Sequence, residues 1–145
     1  MLSKKPLVFF NASVILAGLH SPSGGSAKVL NWSKTGEIKG CISELVLLEA
    51  IKHADKIKMN KILLEKEILD IINFITPAPL KLDQKFKKIV QDVGDIHLFT
   101  SAKDLKVDYL VSLDKKHVLS LKNKVKIFKV VSPGELIHLL QPEAK

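Results

Sequence analysis

The residues that most constrain the fold are Leu7-Val8-Phe9-Phe10. They form an unbroken apolar run with an aromatic pair, too short for a helix and lacking the polar alternation of a strand with one wet face. Such a run belongs in a strand buried on both faces, the environment of a parallel sheet covered by helices. The strand then meets Asn11. A strand this apolar has no folding reason to end on an amide.

The rest of the chain repeats the alternation. A strand over 6–11 leads through the Ser/Gly loop Ser21-Pro22-Ser23-Gly24-Gly25-Ser26 into a helix over 26–34, which the Ser26 hydroxyl is placed to cap. A second strand, 38–42, runs into a long helix opened by Ser43 and continuing to Ile57. Asn60 caps another helix through Ile75, whose apolar residues Ile62, Leu63, Ile68, Leu69, Ile71 and Ile72 recur at helical spacing. Pro77 and Pro79 stop it. A short third strand is expected over 88–90, then a helix over 95–106, a strand over 109–113 and a short helix over 114–121. The last strand, 125–131, alternates with lysines and so suits a sheet edge. Ser132-Pro133-Gly134-Glu135 carries the capping signature of a C-terminal helix. This order specifies an α/β domain with a mainly parallel sheet, whose working site lies beyond the carboxyl ends of the strands.

A length of 145 residues with 46% hydrophobic content suits a single domain over 1–145. No apolar stretch reaches the roughly 18 to 20 residues of a membrane span, and the N-terminal segment is too weakly apolar for a signal peptide. The single cysteine, Cys41, sits in the apolar run 38–42 and reads as a buried small hydrophobe. A cytoplasmic protein without membrane association is expected. The net charge is +8, and all 23 basic residues are lysines. A positive field of this size favours polyanions through counterion release. Lysine supplies point charges rather than the planar fork that reads base edges, so attraction to a nucleic-acid backbone is the expectation. A lysine-rich surface that only keeps the protein soluble is the alternative.

Polar residues recur just past the strands. Asn11 and Ser13 follow the first, Ser43 ends the second, and Glu49 lies in the next helix within LVLLEAI. Asp92 and Asp95 precede the 95–106 helix, while Ser112 and Asp114 end YLVSLD. A carboxylate among neighbours as apolar as those of Glu49 costs several kcal/mol unless it is paired, hydrogen-bonded or ligated. Its alternative is a solvent-edge position reaching Lys52 or Lys56. Asp114 could equally be a helix cap, and Ser112 could simply bond backbone. Carboxylates gathered at one sheet edge would raise each other's pKa unless a cation sat among them. Oxygen donors without His or Cys partners suit Mg²⁺ or Mn²⁺. Lys115 and Lys116, directly after Asp114, are candidates for backbone phosphates. His97 reads as a surface helix position, and His20, His53, His117 and His138 show no zinc-ligand spacing. Trp32, Phe74 and Phe99 read as core.

Taken together, VFFNASVILAGL with GGSAKVL, then CISELVLLEAI, then DIHLFTSAKDLKVDYLVSLDKKHVL, then VKIFKVVSPGELIHLL resemble a PIN domain over nearly the whole chain. The resemblance is to the subgroup described as toxin components of toxin–antitoxin systems. It implies a three-layer α/β/α sandwich, an acidic cluster holding Mg²⁺ or Mn²⁺, and endonucleolytic cleavage of RNA. Carried across, it puts the family's second acid on Glu49, the third on Asp95 and the fourth on Asp114. The supporting polar positions fall on Ser13 and Ser112, and the first acid falls on Asn11. A neutral amide there can still coordinate a hard cation through its oxygen, but the centre carries one charge fewer. The resemblance also implies a homodimer and a small antitoxin partner. A catalytically impaired RNA-binding or antitoxin-binding module is the competing reading. A small-molecule α/β enzyme lacks any cofactor fingerprint here.

Overall fold

Phe9 and Phe10 point to opposite faces of one strand, and both are fully buried. The sheet is therefore covered on both sides. In the computed structural model, which describes residues 5–141, the strands are β1 (Leu7–Phe10), β2 (Lys39–Ser43), β3 (Phe74–Thr76), β4 (Tyr109–Val111) and β5 (Lys129–Val131). All pair in parallel, in the order β3-β2-β1-β4-β5. The helices are α1 (Ala12–His20), α2 (Gly25–Thr35), α3 (Glu44–Lys52), α4 (Lys61–Ile71), α5 (Gln84–Ile89), α6 (Val93–Asp104) and α7 (Pro133–Leu140).

From β1 the chain first steps outward to β2 and β3, then returns to place β4 on the other side of β1. Right-handed crossovers turn that reversal into helices on opposite faces. The helices α1 to α4 and α7 pack against one another on one face, and α5 pairs with α6 on the other. The result is a three-layer α/β/α sandwich around a parallel sheet. Phe86, Phe99 and Phe128 cluster with ring centroids 5.5 to 6.5 Å apart, Phe99 stacked on Phe128 and Phe86 tilted against both. Trp32 and Phe99 lie in the core, while Phe74 is half-buried on the β3 edge. Cys41 is buried too, its thiol pushed up to about 12 by burial.

Several elements differ from the sequence expectation. The residues 88–90 are not a strand: Asp83 caps α5 by accepting from the Lys85 N–H, and the lysine-rich QKFKKI segment is helical. The third strand is Phe74–Thr76, overlapping the end of the stretch assigned to the preceding helix. There Asn73 leaves the helix and ties onto β2, its N–H donating to Gly40 O (2.9 Å) and its Oδ1 accepting from the Gly40 N–H (2.7 Å). Residues 12–20 form a helix rather than a run from strand to loop, and α2 is preceded by Gly24 instead of being capped by Ser26. The helix after Ser43 stops at Lys52, with a 3₁₀ turn over Ala54–Ile57. The 114–121 segment forms turns and the single 3₁₀ turn Leu119–Leu121, and the last strand is confined to Lys129–Val131 at the sheet edge. The Asn60 cap and the Ser132–Glu135 capping box form as expected.

Gly40 is where β2 passes closest to the helix layer. A Cβ there would overlap Ser33 Oγ and come within 2.8 Å of Phe10 Cε2. Ser33 has little room to yield, because it is fully buried and its hydroxyl donates to Ile71 O at 2.7 Å. Gly40→Ala should therefore destabilise the protein by about 1 to 3 kcal/mol, read as a lower urea midpoint with an unchanged slope.

Candidate functional site

The strand order reverses between β1 and β4, and the polar residues at their carboxyl ends meet there. The Asn11 N–H donates to Val111 O at 2.9 Å. Asn11 Oδ1 accepts from the Ala12 N–H at 2.8 Å, capping α1. That bond fixes the amide's orientation and turns its Nδ2 toward Ser112 Oγ, to which it donates at 2.8 Å. Ser112 is fully buried and also accepts from the Asp114 N–H at 3.0 Å. Ser13 Oγ accepts from the Leu113 N–H at 3.2 Å. The two hydroxyls thus shape the turn that presents Asp114. One Asp114 oxygen accepts from the His117 N–H at 2.9 Å, while the other lies 3.4 Å from His117 Nδ1.

Asp95 reaches the same place from the opposite layer. It sits in the first turn of α6, which Asp92 starts by accepting from the Gly94 N–H at 2.8 Å. One donor atom from each of Asp95, Asp114 and His117 lies within 4.8 Å of the others. Asp95 is half-buried and its pKa is pushed up to about 6, first by burial and then by the negative charge of Asp92, Asp114 and Glu49, against the opposing effect of His117. A divalent cation would relieve that repulsion, and two carboxylates with an imidazole form a donor set such a cation accepts.

A family model described as the PIN domain matches residues 7–116. The chain belongs to the PIN-domain family. The fold is also similar to a solved structure described as VapBC2 from Rickettsia felis bound to a DNA fragment from its promoter. That likeness has a TM-score of 0.65 at 12% identity, covering 87% of this chain and 98% of the other. No curated protein matches the chain by sequence.

In this PIN domain the remaining candidate residues divide sharply. Glu49 is exposed on α3, close enough for its charge to raise both Asp95 and His97 but outside the three-residue donor group. Its apolar sequence neighbours mislead, because α3 buries Val46 and Ala50 while Leu48 is 61% exposed. Ser43 is fully buried and caps α3, its Oγ accepting from the Val46 N–H at 3.2 Å. Lys115 and Lys116 are exposed after Asp114. Lys116, Gln91, His117, Ser120 and Lys124 help line a cavity of about 200 Å³ that shares His117 with the donor group.

Two histidines depart from the sequence reading. His97 is half-buried rather than a surface position, its Nδ1 has no hydrogen-bond partner, and burial lowers its pKa against the charge of Glu49. His117 joins the donor group although it lacks zinc-type spacing. The available signal was its place three residues after Asp114, where a turn folds a side chain back onto the carboxylate. Among the described residues, no helix is long and apolar enough to cross a membrane.

The raised Asp95 pKa carries a stability consequence for the metal-free chain. Between about pH 4 and pH 6 the folded state holds a proton that the unfolded state has released, so stability falls as pH rises through that window and then levels off. Asp95→Asn should make the metal-free protein more stable by about 1 to 2 kcal/mol at pH 7, allowing for solvent screening of a half-exposed group. The gain should vanish near pH 4, as urea melts across that range would reveal.

Proposed function

We propose that this PIN domain is a metal-dependent endoribonuclease of the toxin-like kind, with Asp95 and Asp114 as its main cation ligands and Mg²⁺ or Mn²⁺ as the cation. The convergence of Asp95 and Asp114 at the β1–β4 reversal carries this reading. A cation bound there would acidify a water and offset charge on a phosphodiester. Ser112 and Ser13 hold the turn that aims Asp114, and Asp92 sets the start of the helix that carries Asp95. Glu49 contributes negative potential from the rim. Lys115, Lys116 and Lys124 supply positive charge beside the acids, suited to the phosphates of an RNA strand.

Asn11 is the departure that limits activity. Its oxygen caps α1 and its amide nitrogen faces Ser112, so it braces the turn and offers a cation little. This observation favours a second reading, a catalytically impaired module that binds RNA or an antitoxin without cutting. A partner or a second copy of the chain has an apolar surface to use on α3 and α4, where Leu48, Ile62, Leu63 and Leu69 are exposed. The protein is assigned to the cytoplasm as part of the same proposal.

Cleavage of a structured RNA with Mg²⁺ or Mn²⁺ tests the nuclease reading. EDTA should abolish cutting, and Asp114→Asn should lower it by about 100-fold or more, as expected for loss of a charged ligand. Cutting that persists in EDTA would refute the metal-dependent mechanism. Asn11→Asp should still fold, because the Ser112 hydroxyl can turn to donate to the new carboxylate. It should also raise both the rate and cation affinity by about tenfold. If neither form cuts or binds a divalent ion, the binding-module reading replaces this one.

A further inference from the structure

We infer that His117 is a nitrogen ligand of the metal centre and biases it toward Mn²⁺ over Mg²⁺, an inference that rests on the metal-dependent reading above. Around Asp95 and Asp114 the nearby candidates are already committed or distant. Asn11 Oδ1 holds the Ala12 N–H, its Nδ2 donates to Ser112, and Glu49 lies exposed outside the donor group. The imidazole of His117 is the group whose donor atom falls within 4.8 Å of both carboxylates.

The local backbone explains its placement. The His117 N–H donates to one Asp114 oxygen at 2.9 Å, which closes the turn and folds the ring back over the carboxylate. Nδ1 then stands 3.4 Å from the other Asp114 oxygen, longer than the usual range of a charge-assisted hydrogen bond. Two ligand atoms facing one another at that separation can share a cation. The ring is half-exposed and lines a polar cavity that the two acids do not line, so a hydrated ion can reach it.

The identity of this donor bears on the choice of ion. Mg²⁺ demands a small, near-ideal oxygen octahedron and keeps several waters, whereas first-row transition ions accept imidazole nitrogen readily. A centre that has an amide where the family carries a carboxylate, and an imidazole in reach, loses attraction for the harder ion more than for the softer one. Mn²⁺ should therefore bind more tightly than Mg²⁺ by about tenfold or more.

Binding, rather than turnover, provides the test. Mn²⁺ bound to the full chain should show ¹⁴N modulation in pulsed electron paramagnetic resonance, and His117→Gln should abolish it while His97→Gln retains it. Calorimetric titration of His117→Gln should bring Mn²⁺ and Mg²⁺ affinities to within about threefold of each other, since glutamine offers only an oxygen. Thermal melts verify that each variant is folded. A wild-type Mn²⁺ complex without ¹⁴N coupling overturns the inference, as does coupling that survives in His117→Gln or an equal loss of both ions in that variant. Failure of the wild-type chain to bind any divalent ion would overturn the reading beneath it instead.

Discussion

The molecule depends on the parallel pairing of β1 with β4. That pairing joins strands separated by about a hundred residues of chain, and it continues past the last sheet residues into polar chemistry. The backbone bond from Asn11 to Val111 O is followed at once by the side-chain bond from Asn11 to Ser112. Both Val111 and Ser112 are fully buried, while Asn11 is half-buried at the edge of the pair. A buried hydroxyl or amide left without a partner costs roughly 1 to 3 kcal/mol, and that penalty holds the register of the whole central pair. Asp114 is presented by the same turn. Disturbing the strand pair would disturb the acid.

This arrangement gives Asn11 a purpose that a neutral side chain can serve well. An amide both accepts from the Ala12 N–H and donates to Ser112, whereas a carboxylate could only accept. The residue thus ties α1 to the turn after β4 without adding a charge beside Asp95 and Asp114. Asp95 records the opposite compromise. It remains a carboxylate near Asp92, Asp114 and Glu49, and its pKa is raised first by burial and then by their negative charge. Raised carboxylate pKa values of this kind cluster at functional sites.

Much of the fold was legible in the sequence. Strands that are buried on both faces announce themselves as apolar runs, and Leu7–Phe10, the Ser43 and Asn60 caps and the Ser132–Glu135 box all behave as local rules predict. The third strand was not legible. Phe74-Ile75-Thr76 follows Ile68, Leu69, Ile71 and Ile72 with only Asp70 and Asn73 between them, and the long-range attachment of Asn73 to Gly40 marks where the chain leaves the helix. The same limit applies at the site. Asp95 and Asp114 stood out because each follows or precedes an element boundary. Glu49 looked enclosed because its sequence neighbours are apolar, yet the packing of α3 leaves it in solvent. Zinc-ligand spacing discounts His117, because its relation to Asp114 depends on the turn that folds it back onto the carboxylate.

The sheet's two borders have a further consequence. Both β3 and β5 contribute only three residues to the ladder, β3 runs directly into Pro77, and β5 opens on the exposed Lys129. Neither offers an extended row of free amides and carbonyls onto which another chain could dock by prolonging the sheet. Among the described residues, the sheet borders therefore disfavour growth by strand addition and the fibrous self-association it can seed.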